Sequence, residues 1–200
     1  NEIGGLRSWD SSPYKNHCVA VAAKSRWQGK LLNGTTSYVS IPNNGSLIFT
    51  TQNFTVISWV KFNSLAAGLH LLYSKGADAT SGFYLGVNAA GQLVLQTSQA
   101  GVDQTNRSGN IVVTNTLYCF GCSRLAATGK VYMNGQDITS VSENIINPVS
   151  NTDVAVIGVD QGLASRFVDG TIYLTLVWNI ALKNNLLQQV YTNPYEMFLR

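Results

Sequence analysis

Charge is what this sequence has least of. Lys, Arg, Asp and Glu make up 12% of its 200 residues, about half the usual ~25%. The 13 basic residues are scattered, with no Lys or Arg run that could neutralise a row of phosphates, so a nucleic-acid partner is not expected. No stretch approaches the ~18 uninterrupted apolar residues of a membrane span, and no membrane insertion is expected. Cysteine is scarce too, with Cys18, Cys119 and Cys122 only. The last two form a C-x-x-C in "LYCFGCSR", a segment that reads as a strand. There, residues three apart lie ~10 Å from each other on opposite faces, too far for a disulfide, which needs Cα atoms within ~7 Å. No second Cys or His pair offers zinc a site, and buried structural thiols are the expectation. The chain begins Asn1-Glu2-Ile3 rather than with Met, as a processed product or an excised domain would, so a missing leader decides nothing.

What is present is a hydrophobic fraction of 45%, enough for a sizeable core. Surface polarity must come from Asn, Ser, Thr, Gln and Gly, a balance common in secreted and virion proteins. Short apolar or alternating runs recur between turn residues: "SYVSIP", "FTVISWVKF", "LHLLYSK", "GFYLGVN", "QLVLQTS", "TLYCFGCSR", "KVYMNG", "DVAVIGV" and "TIYLTLVWN". Asn88-Ala89-Ala90-Gly91 and Asn134-Gly135 are hairpin signals. The spacing predicts an all-β antiparallel sandwich or jelly roll in one domain, residues 1–200. One helix is expected in "ALKNNLLQQV", with Leu182, Leu186 and Val190 as its apolar stripe and Asn193-Pro194 as its stop.

Six segments occur in a telling order: "WDSSPYKNH", "GKLLNGTTSYVSIP", "FTVISWVKF", "LLYSKG", "GKVYMNGQ" and "FVDGTIYLTLVWNIALKNNLLQQVYTNPY". Together they resemble the laminin-G-like group of the concanavalin A-like lectin and glucanase superfamily, from Trp9 to Tyr195. The resemblance implies two antiparallel sheets packed as a jelly roll, with a short C-terminal helix. The closing "NPYEMF" resembles the tails of such domains in phage and bacterial proteins.

Some relatives hydrolyse glycosides, which takes two carboxylates ~5–5.5 Å apart for retention. Of ten acids, Glu2 and Glu196 are terminal, Glu143 lies between strands, and Asp10, Asp78, Asp103, Asp137, Asp153, Asp160 and Asp169 sit mostly in turns or loops. No two share one strand face at i, i+2, so a glucanase is not expected. A lyase could use His instead. Only His17 and His70 exist, and His70 lacks an Arg or Gln constellation in sequence. The family often holds calcium through loop oxygens. At its last-strand acid positions this chain has Tyr173 and Leu174, leaving Asp10 and Asp169 as candidate ligands for one calcium ion. Both also suit turn formation.

Sugar recognition needs aromatic faces and planar polar groups directed away from the core. Alternation places Tyr84 opposite Phe83, Leu85 and Val87, and Gln96 with Ser98 opposite Leu95. It also places Tyr132 opposite Val131 and Met133, while Arg124 ends its strand. Tyr84, Gln96, Arg124 and Tyr132 are the candidate carbohydrate-binding residues. Trp59 and Trp178 read as core, with Trp9 and Trp27 open. Two functions follow: a non-enzymatic module binding glycan or polysaccharide at a cell or virion surface, or a structural decoration protein contacting neighbouring chains of a phage virion or other assembly. A polysaccharide lyase ranks third, and an extracellular or virion-surface location fits all three.

Overall fold

The computed structural model of the chain describes residues 7–8, 10–26, 29–66 and 68–195. Glu2, Trp9, Trp27 and Glu196 lie outside them. The chain runs through β1 (Arg7–Ser8), β2 (Cys18–Val21), β3 (Lys24–Arg26), β4 (Gly29–Asn33) and β5 (Tyr38–Ile41). It continues through β6 (Phe54–Ser64), β7 (His70–Lys75), β8 (Phe83–Val87), β9 (Gln92–Gln99) and β10 (Val102–Asn110). Then come β11 (Leu117–Leu125), β12 (Thr128–Met133), β13 (Gln136–Asp137), β14 (Thr139–Val141), β15 (Ala155–Ile157), β16 (Asp169–Trp178) and the helix α1 (Asn184–Thr192). Two antiparallel sheets result. One has nine strands in the order β1-β2-β5-β15-β7-β8-β9-β10-β14, the other seven in the order β13-β12-β11-β6-β16-β4-β3.

Turn chemistry sets the hairpins where the sequence predicts it. The Asn88 carboxamide accepts from the backbone N–H of Ala90 and Gln92, closing the β8–β9 connection. Asn134 and Gly135 both take left-handed backbone, φ 51° and 79°, the pair of positive values a two-residue hairpin loop requires between β12 and β13.

The core lies between the sheets. Phe54, Val56, Val60 and Phe62 of β6 meet Phe83, Leu85 and Val87 of β8 there, and Phe49, Phe54, Phe83 and Tyr73 form a run of ring contacts 4.3–5.7 Å between centroids. Full burial of each such ring removes enough apolar surface to contribute about 1.5–3 kcal/mol. A second apolar layer covers the outside of the seven-stranded sheet. Ile57, Trp59, Cys119 and Tyr132 pack there against Leu182, Leu187 and Val190, with Tyr173, Leu174, Leu176 and Trp178 at its margin. Both tryptophans therefore pack on this outer layer.

This second layer explains why β16 carries apolar residues on both of its faces. Ile172 pairs with Val60 and Leu174 with Trp59, so Tyr173 is one extra residue, a β-bulge. The bulge puts Tyr173 and Leu174 together on the helix side while Ile172 stays in the core. Gly29 fits beside it because a Cβ there would stand 2.5 Å from the Ile172 carbonyl oxygen.

The helix departs from the expected stripe. It begins at Asn184, so Leu182 lies before it, anchored by its N–H to Thr55 Oγ1 at 2.9 Å. Within the helix Leu187 and Val190 are buried and Leu186 is exposed. The late start rotates the buried face onto the i, i+3 pair.

Three further groups are placed. Cys119 faces the helix layer and Cys122 the inter-sheet core, as alternation requires, and all three cysteines are unbridged. His70 is buried, with its ring nitrogens against the carbonyl oxygens of Phe167 at 2.7 Å and Ala66 at 3.1 Å. Lys75 is 1% exposed, yet its ammonium makes no ion pair with an acid side chain among the described residues. It donates to Asn43 Oδ1 and Asn151 Oδ1, each at 3.0 Å, and to the Asp153 carbonyl. No helix among the described residues is long and apolar enough to cross a membrane.

Candidate functional site

The outer face of the nine-stranded sheet carries a row of side chains set by register. Ser40 of β5 pairs with Val156 of β15, Val156 with Ser74 of β7, Ser74 with Tyr84 of β8, Tyr84 with Gln96 of β9, and Gln96 with Thr105 of β10. Directly opposed residues of antiparallel strands share a face. Since Phe83, Leu85 and Leu95 point into the core, this row points away from it.

Hydrogen bonds join the row to two loops. The Tyr84 phenol donates to Gln96 Oε1 at 2.6 Å, and Gln96 Nε2 donates to Asp78 Oδ1 at 2.5 Å. The other Asp78 oxygen ion-pairs with Arg166 at 2.5 Å. Beside them the Ser98 hydroxyl donates to Asp103 Oδ1 at 2.6 Å. Tyr84 and Gln96 are 6% and 9% exposed, whereas the side chains of Asp78 and Arg166 are 33% and 30% exposed. The phenol and amide thus form a floor beneath a solvent-facing carboxylate and guanidinium. Burial raises the Tyr84 pKa well above a phenol's ordinary 10.0, and the Asp78 carboxylate adds to the effect. Tyr84 therefore remains a neutral donor. Leu71 and Val94 pack against Tyr84 and form an apolar side to the face.

Each loop is locally fixed. The Asp78 turn closes with Ser81 N–H donating to the Ala77 carbonyl at 2.8 Å. It ends at Gly82, φ 74°, where a Cβ would fall 1.7 Å from the Lys75 carbonyl oxygen. In the Arg166 loop the Asp160 carboxylate accepts from Ala164 N–H, Ser165 N–H and the Ser165 hydroxyl. Leu163 and Arg166 are left-handed there at φ 55° and 60°. Leu71 N–H donates to the Arg166 carbonyl at 3.1 Å, holding that loop on the sheet. Sparsely populated backbone of this kind collects where a loop is over-determined by its surroundings.

Of the four carbohydrate-binding candidates, the structure brings Tyr84 and Gln96 together and sets the other two apart. Tyr132 does point opposite Val131, but onto the outside of the seven-stranded sheet. There the helix layer covers it to 4% exposure, and its hydroxyl pairs with Ser123 at 2.9 Å. Arg124 is 3% exposed and clamps three segments, donating to the carbonyls of Ala126 and Thr50 and to Asn147 Oδ1. Neither is free to meet a ligand: the cover comes from elements distant in sequence. Asp78, Asp103 and Arg166, which complete the face, went unassigned because each lies outside any local motif.

The calcium candidates serve turns. Asp10 Oδ1 accepts from Ser12 N–H at 2.8 Å, and Oδ2 accepts from the Ser12 hydroxyl and Asn16 N–H, both at 2.7 Å. Burial raises its pKa, but these hydrogen bonds outweigh that effect and hold it below the usual carboxylate value. Asp169 opens β16 in the other sheet and accepts from the Asn63 amide at 3.0 Å. Among the described residues no three His, Cys, Asp or Glu side chains gather as a metal site. Calcium takes six to eight oxygens, whereas the described partners of the Asp10 and Asp169 carboxylates are N–H and O–H donors.

Comparison with known proteins places the fold. Residues 33–186 match the family model of the concanavalin A-like lectin/glucanases superfamily. Among solved structures, the receptor binding domain of botulinum neurotoxin D superposes with a TM-score of 0.72 at 15% identity, over 94% of this chain and 50% of that one. The ligand binding domain of botulinum neurotoxin serotype D in complex with N-acetylneuraminic acid gives 0.71 at 15% identity, over 94% and 48%. The binding domain of Paraclostridial Mosquitocidal Protein 1 gives 0.66 at 13%, over 98% and 47%. The chain spans about half the length of these neighbours, and the likeness is one of fold. No curated protein matches by sequence. The chain belongs to the concanavalin A-like lectin/glucanases superfamily.

Proposed function

We propose that this protein is a non-enzymatic recognition module that binds carbohydrate on the outer face of its nine-stranded sheet. The observation that carries the reading is the Tyr84–Gln96–Asp78–Arg166 network. It presents a carboxylate and a guanidinium, both planar, over a floor of Tyr84 and Gln96 fixed by strand register. Planar groups with directional donors and acceptors suit pairs of sugar hydroxyls, and the apolar flank of Leu71 and Val94 suits the C–H surface of a pyranose. Superfamily membership supports it, as do neighbours that are receptor- or ligand-binding domains, one of them in complex with N-acetylneuraminic acid.

The acids on this face favour binding over hydrolysis. Asp78 is occupied by Gln96 and Arg166, and Asp103 by Ser98, as acceptors that hold donors in place. His70, the one base a lyase reading would use on these strands, lies inside the fold against backbone carbonyls.

The test is a broad glycan array with the purified protein and with Asp78→Ala. Loss of a charge-assisted contact of ~1.5–3 kcal/mol should weaken binding by roughly ten- to a hundred-fold while circular dichroism stays unchanged. An array with no retained glycan, alongside stable assembly onto a capsid or neighbouring chains, would move the protein to the structural class. Chain-end products appearing from polysaccharide would make it an enzyme.

A further inference from the structure

The charges on the candidate face are unequal, and the imbalance selects a ligand class. Asp78 is neutralised locally by Arg166 at 2.5 Å. Asp103 is exposed, is held by the neutral Ser98 hydroxyl, and has no cation within ion-pair distance among the described residues. Ser98 and Gln96 lie two apart on β9, and Asp103 is the cross-strand partner of Ser98, so this carboxylate lies on the same face as Gln96 and diagonal to it. Glu143 adds a third negative charge at the end of the row, where its Oε2 accepts from Thr105 N–H at 2.6 Å. Against these stands Arg107, exposed on β10 and paired with Val94. It sits at the apolar side of the face rather than among the hydroxyl-binding groups.

Building on the carbohydrate reading, we infer that the ligand is an uncharged sugar and that Asp103 excludes sugars bearing a carboxylate. An acidic sugar laid on Gln96 would bring its carboxylate to an uncompensated one, and like charges juxtaposed at an interface are a strong bar to the wrong partner. A neutral sugar meets the same Asp103 as an acceptor for a hydroxyl. The face thereby differs in ligand class from the neurotoxin domain solved in complex with N-acetylneuraminic acid.

The test uses matched glycans that differ only in a terminal sialic acid, together with neutral glucan and polyuronate oligosaccharides. Binding is measured for the natural chain, Asp103→Asn and Arg107→Ala. Asparagine keeps the acceptor for Ser98 and removes the charge, so the fold is retained. The natural chain should bind neutral members at least about tenfold more tightly than acidic ones. Asp103→Asn should narrow that ratio. Preference of the natural chain for acidic members, lost in Arg107→Ala, would overturn the inference and leave the carbohydrate reading standing. Binding to neither class would overturn that reading, and the inference with it.

Discussion

Lys75 shows how one side chain can organise a rim of loops. Its ammonium is surrounded by two carboxamide oxygens and a carbonyl oxygen from three separate positions, one acceptor for each of its protons. Burial lowers its pKa from the ordinary 10.5, with Asp153 partly opposing. The unfolded chain therefore binds this proton more tightly than the folded one. The contribution of Lys75 to stability rises as pH increases through the folded pKa toward 10.5 and is lost as pH falls back through it. Lys75→Met strands the acceptors and should cost about 1–3 kcal/mol in urea denaturation at neutral pH. It should also abolish the rise in stability toward alkaline pH that the lowered Lys75 pKa predicts for the natural chain. A variant that keeps that rise would assign it to another group.

At the scale of elements, the helix layer decides which residues of the seven-stranded sheet are available. α1 buries Leu187 and Val190 and leaves Leu186 outside. Leu187→Ala should therefore cost about 2–5 kcal/mol and Leu186→Ala less than ~0.5 kcal/mol, read from thermal or urea unfolding. Equal losses at both positions would contradict the docking described. The same layer separates what strand alternation could and could not disclose. Alternation correctly turned Tyr84, Gln96 and Tyr132 away from the core, because a side-chain period of two is fixed by the backbone. It could not reveal that α1 would lie over Tyr132 while Tyr84 would lie beneath the part-exposed Asp78 and Arg166. Nor could it foresee the bulge at Tyr173, where an extra residue resets the phase within a strand. Asp78 and Arg166 were illegible for a related reason. Their side chains meet only after two loops, well separated in sequence, have settled on the same sheet.

For the whole molecule, the sandwich was legible from recurring strands and turn residues, since these are local signals that agree with one another. The thiols report on its integrity. Burial pushes Cys119 and Cys122 up to about 12 and Cys18 up to about 11, leaving little thiolate to react at neutral pH. Cys119 and Cys122 face different apolar layers, so labelling either one requires a layer to open. A disulfide-exchange reagent at pH 8 should leave these two unmodified in the native protein and modify both together across the denaturant transition. Labelling of Cys119 alone before the transition would show that the helix layer detaches from an intact sandwich.

The cage around Lys75 has a consequence of its own. Oxygen ligands gathered round a positive charge are how many loop-rich rims are braced, and a free ion in such a place escapes on dilution or to a competing chelator. Here the charge is a covalent part of β7, and no binding equilibrium governs whether it is there. This corner of the fold should keep its shape in chelator, at low ionic strength and at any protein concentration.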